Sequence, residues 1–126
     1  MKKEIIAITV LVVLFAAVFL NTFYIDSLMY ALADTAENAA ESVHQGNFDY
    51  AETLLRQAIN KWNISDGYTH IFIRHSEIDS TSDAFYEMLG FILSEDSGGT
   101  AASHEKLRAH LLSIAGMEHI TIGSIF

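Results

Sequence analysis

Residues 5–43 read IIAITVLVVLFAAVFLNTFYIDSLMYALADTAENAAESV. Two patterns meet inside this stretch, and their junction decides the fold. From Ile5 to Ile25 no residue is charged. About 20 apolar residues, each rising about 1.5 Å in a helix, span a hydrocarbon core of about 30 Å. Asn21 and Thr22 lie near one end, and Phe23 and Tyr24 suit the aromatic belt of a membrane interface. Past Ile25 the pattern turns periodic. Ile25, Met29, Leu32, Ala36, Ala39 and Val43 follow one another at intervals of four and three residues in strict alternation, the heptad spacing of a helical stripe. The chain has no proline to break a helix interior. The two patterns therefore predict one helix that runs out of a membrane to about Gln45, its outer half lined with alanines that let a neighbouring helix approach closely.

The flanks orient this helix. Lys2, Lys3 and the α-amine precede the apolar run, while Asp26, Asp34, Glu37 and Glu41 follow it, and the next basic residue is Arg56. By the positive-inside rule the N-terminus lies in the cytoplasm and the remainder outside the cell membrane. A cleavable signal peptide is the competing reading, since Ala31-Leu32-Ala33 before Asp34 has the small-x-small form. The long apolar run and the bulky Phe23, Tyr24, Met29 and Tyr30 before that point favour an uncleaved anchor. Either reading exports the domain. The chain divides into an anchor, 1–25, and an extracytoplasmic domain, 26–126.

Outward from the seam the helical period continues. Gly46-Asn47 stops the first helix. A second runs through FDYAETLLRQAINKW, with Asn47 or Asp49 as cap and Ala51, Leu54, Leu55, Ala58, Ile59 and Trp62 on its apolar face. After a turn at 63–67, Tyr68, Ile71, His75, Ile78, Ser82, Phe85, Leu89 and Ile92 predict a third helix ending near Ser94. Ser97-Gly98-Gly99 reads as a loop. A fourth helix is expected from about Thr100 to Glu118, with Ala101, His104, Leu107, Leu111 and Ile114 in its seam, and HITIGSIF as an extended or frayed tail. Short connections make neighbours antiparallel. The expected fold is all-α: an N-terminal transmembrane helix continuing into an antiparallel helical bundle. A domain on a flexible stalk is the alternative, but it leaves the stripe from Ile25 to Val43 without a partner.

Composition narrows function mainly by exclusion. The net charge is −9; setting aside Lys2, Lys3 and Glu4 leaves five of the seven basic residues and fifteen of the sixteen acidic ones on the domain. Such a surface repels phosphate backbones, so nucleic acid is not an expected partner. There is no cysteine, hence no disulfide, thiolate nucleophile or zinc-thiolate site. No phosphate-binding glycine loop, serine elbow or EF-hand spacing occurs. The expectation is no enzyme, no catalytic residue, no metal and no cofactor.

Five residues stand out as a ligand-binding or structural polar site. His75 falls in the third helix's seam one turn before Asp79, a pair that could hydrogen-bond or share a metal. A buried histidine satisfied by a carboxylate or backbone carbonyl is the simpler account, because a metal needs three or four ligands. His104 lies in the fourth seam, and a site becomes plausible if it meets His75. Trp62, the lone tryptophan, is expected to plug the bundle with its indole N–H bonded, or to stack on a ligand. Arg74 can pair with Glu77 along the helix, or bind an anion.

Two resemblances add to this. Residues 33–59, with Gly46-Asn47, Tyr50-Ala51, Leu54-Leu55 and Ala58-Ile59, resemble one tetratricopeptide hairpin, but no second copy follows. Over nearly the whole chain, the basic N-terminus, the apolar span, Gly46-Asn47-Phe48 with Ala51, Trp62, and His75-Ser76-Glu77-Ile78-Asp79 are similar to an uncharacterised family of small single-pass membrane-anchored proteins from Gram-positive, spore-forming bacteria, a domain of unknown function. Phe48 stands where that family has tryptophan. The resemblance implies anchoring, a helical domain and a protein partner, and no activity. The function expected is a membrane-anchored extracytoplasmic interaction or scaffold module, in the bilayer and docked through its alanine seam on another membrane protein or on itself. The alternative is an extracytoplasmic sensor or small-ligand-binding domain.

Overall fold

The computed structural model describes the backbone of residues 1–65 and 75–125, and the side chains of residues 1–65 and 76–116. Among the described residues there are four helices and no strand: α1 (Lys2–His44), α2 (Phe48–Ile64), α3 (His75–Leu93) and α4 (Ser97–Ile125). They pack in a ring, α1 on α2, α2 on α3, α3 on α4 and α4 back on α1, the up-down arrangement expected from short connections. The expected start of the third helix at Tyr68 lies outside the described residues.

The long first helix is continuous, as the junction of its two patterns predicts. Its 43 residues change surroundings halfway along. Residues 1–20 are exposed on every face except at half-buried Phe15. This part is long and apolar enough to cross a membrane. From Ile25 onward the stripe is fully engaged: Ile25, Met29, Ala36 and Ala39 are each 0% exposed, between α2 on one side and α4 on the other. The alanine seam is thus filled by the chain's own helices.

The two described connections, α1 to α2 and α3 to α4, turn by one device. At the end of α1, Gly46 adopts φ +82°; its N–H donates to the Val43 carbonyl at 2.9 Å and that of Asn47 to the Ser42 carbonyl at 2.8 Å, a Schellman closure. Asn47 at once caps α2, its Oδ1 accepting from the Tyr50 N–H at 3.2 Å. At the end of α3, Glu95 takes the left-handed position with φ 56°; the Glu95 N–H donates to the Ile92 carbonyl at 3.1 Å and the Asp96 N–H to the Phe91 carbonyl at 2.9 Å. Asp96 then caps α4, accepting from the Gly99 N–H at 2.8 Å. The cap starts α4 at Ser97, so Ser97-Gly98-Gly99 is a first helical turn rather than the expected loop. Glycine is required at position 99, where a Cβ would collide with the Phe91 ring.

The core lies where all four helices meet, around Trp62, Phe85, Leu55, Met88, Leu107 and Leu111. On α3 the buried stripe is wider than the seam predicts and takes in Thr81, Ala84 and Met88, because α3 faces both α2 and α4 and a helix between two neighbours buries a broad arc. On α4, Ala101 is exposed instead of buried. The tail also departs from expectation: α4 stays helical to Ile125. The low helix propensity of β-branched residues is a matter of tenths of a kcal/mol each, too little by itself to end a helix.

Candidate functional site

Of the five sequence-selected residues, the structure describes the side chains of Trp62, Asp79 and His104. Trp62, 2% exposed, sits between α2 and α3. Its Nε1–H donates to the Ser82 hydroxyl at 2.8 Å, and its ring lies tilted against Phe85 with centroids 5.8 Å apart. The indole is thereby used on its polar edge and on its ring, and no face is left for a ligand to stack upon. Asp79 is exposed on α3. His75 opens α3, its side chain outside the described residues, as is Arg74 altogether.

His104 stands apart from these. It is 9% exposed, on the face of α4 turned to α1, and its Nε2 is buried with no hydrogen-bond partner. Burial strips water from the imidazolium and holds the pKa below the usual histidine value; Glu105 and Glu37 oppose the shift, and Arg108 adds to it. The ring is therefore neutral at pH 7. Beside it a cleft of about 300 Å³ opens at the end of the bundle remote from the apolar half of α1, walled by Ala40, Val43 and His44 of α1 and by Ser97, Gly98, Ala101, His104 and Glu105 of α4. Its walls are largely small and apolar, with two imidazoles and a carboxylate among them.

The register of α3 against α4 sets His104 away from the backbone level of His75. Lys106 Nζ lies 3.1 Å from Glu87 Oε2, which places this part of α4 level with the second half of α3, about three turns from its first residue, His75. The histidine that does approach α3 is His110, whose Nδ1 is 4.0 Å from Glu77 Oε2. No single helix's sequence shows that contact, because it depends on the stagger of α3 against α4. Among the described residues no three histidine or carboxylate side chains converge as metal ligands do.

An up-down four-helix bundle, built on a first helix twice as long as the bundle needs, defines the structural class. A family model, the domain of unknown function DUF4363, matches residues 19–125, and the chain belongs to that family. No curated protein and no solved structure matches it.

Proposed function

We propose that this protein is a single-pass cell-membrane protein, N-terminus cytoplasmic and bundle extracytoplasmic, acting without catalysis as an interaction module for another membrane protein or a second copy of itself. The observation that carries the reading is the change of surroundings along α1: apolar and exposed before Asn21, apolar and buried from Ile25 on. An exposed apolar surface of that extent needs lipid, and the unbroken helix fixes the bundle rigidly to its span. Cleavage after Ala33 is disfavoured on the same ground, since it would strip Ile25, Leu28, Met29, Leu32 and Ala33 from the core. With the alanine seam occupied internally, the partner-facing surface is the span itself or the outer faces of α2 and α3. Native mass spectrometry of the full-length protein in mild detergent tests this. A defined homo-oligomer or a complex with a second membrane protein is expected; a lone monomer, with no crosslinked partner in cells, refutes it.

A second reading, a sensor or small-ligand binder, is favoured by one observation: the unpartnered His104 Nε2 next to an open cleft. It moves the ligand site from His75 and Trp62 to His104. It predicts a rise in melting temperature with a small polar ligand that His104→Leu abolishes, and a rise preserved in that variant counts against it.

A further inference from the structure

We propose that the last two turns of α4 form a second membrane contact, seated in the outer leaflet beside the span, so that the bundle meets the bilayer on two helices. This rests on the reading of α1 as a membrane span. α4 is 29 residues long, about 12 more than α2, and the excess lies at its C-terminal end. α4 runs antiparallel to α1: Ala101 shares a cleft with Ala40, and His104 feels the charge of Glu37. In that register one residue forward on α4 matches one residue back on α1. Glu118 then comes level with the region from Phe23 to Asp26, and Ile125 with the region of Ala16.

The charges agree with that level. Glu118 is the last Asp, Glu, Lys or Arg of α4, and Asp26 is the first beyond the apolar run of α1. The two helices thus lose their charges at one height, and the stretch of α4 below it reads HITIGSI. Seven helical residues reach about 10 Å, within an outer leaflet whose hydrocarbon is about 15 Å deep. On α1 the described side chains show the same extension independently. The covered stripe does not end at Ile25: Thr22 is 7% exposed and Phe15 half-buried, while Phe19, Leu20 and Phe23 around them are exposed. The inner face of the span is therefore covered in part, at Thr22 and Phe15, to the depth that α4 reaches, while Val18 between them stays exposed.

The absence of native cysteine makes the test clean. Single cysteines at Val13, Asn60, Ile122 and Ser124 are labelled with an environment-sensitive fluorophore, and the full-length protein is placed in liposomes containing lipids brominated on their acyl chains. Labels at Val13→Cys, Ile122→Cys and Ser124→Cys are expected to be quenched and blue-shifted, and that at Asn60→Cys unaffected. Quenching at Val13→Cys, with both α4 labels behaving like Asn60→Cys, overturns the inference and leaves the span reading standing. No quenching at Val13→Cys overturns both.

Discussion

Replacing His104 by leucine should stabilise the protein, and should do so more at pH 5.5 than at pH 7.5. The side chain is 9% exposed and its Nε2 has no partner. An unsatisfied buried polar atom costs about 1–3 kcal/mol. Leucine is close in volume and the adjoining cleft absorbs the difference in shape, so a gain of about 1 kcal/mol is expected at pH 7.5. The pH dependence follows from the lowered pKa. Near neutrality the ring is uncharged in both folded and unfolded chains. As pH falls through about 6.5 the unfolded chain takes up a proton first, so the native state loses stability until the pH reaches the lower, folded value. One such group tilts stability by at most about 1.4 kcal/mol per pH unit. Denaturant titrations followed by helical circular dichroism, at pH 5.5, 6.5 and 7.5 in one detergent, measure this. Five other histidines and the carboxylates titrate in both proteins, and the difference between wild type and His104→Leu isolates residue 104. A constant difference across this range, or a destabilised variant at pH 7.5, refutes the account of His104 as a buried, neutral, unpartnered ring.

Three further substitutions probe the bundle. Trp62→Ala should cost about 3–5 kcal/mol as a large core deletion, and Ser82→Ala about 1 kcal/mol by stranding the indole N–H; equal, negligible effects in denaturant titration would contradict the hydrogen bond as a structural element. Glu95→Gly, at an exposed left-handed position, should raise stability by about 0.5–1 kcal/mol, and a loss would mean the Glu95 side chain is needed. Gly99→Ala should destabilise by about 1–2 kcal/mol through the Phe91 ring, whereas Gly98→Ala, with only an ordinary contact to Asp96 at 3.7 Å, should be neutral; identical midpoints for the two would refute the close approach of ring and helix.

Much of this architecture is legible without coordinates because it rests on local rules. The alternating intervals from Ile25 to Val43 specify a buried stripe in any helix, and Gly46-Asn47 combines the two residue types best suited to ending one helix and capping the next. The second hairpin obeys the same rules with a less readable pair. Glutamate is uncommon in the left-handed region, so Glu95 does not announce a turn, and the glycines after it draw attention to the wrong place. The helical tail of α4 is hidden by its β-branched residues, whose propensity cost of tenths of a kcal/mol each does not end a helix. The site is harder still. The partner of Trp62 was already a seam residue of α3, so that pair was within reach. Which histidine faces which helix depends on stagger, and the sequence contains six histidines with nothing local to rank His104 above His75. The cleft exists because small residues, Ala40, Gly98 and Ala101, face one another across α1 and α4, a coincidence of register.

The central claim, one helix that spans the membrane and then becomes a wall of an outer bundle, is tested most directly by topology. Cysteines introduced singly at Lys3 and Asn60 are exposed to a membrane-impermeant maleimide on intact cells, then after permeabilisation. Labelling of Asn60→Cys on intact cells and of Lys3→Cys only after permeabilisation is the predicted result, with both found on the full-length chain. Labelling of Lys3→Cys from outside, or protection of Asn60→Cys until the membrane is opened, contradicts it.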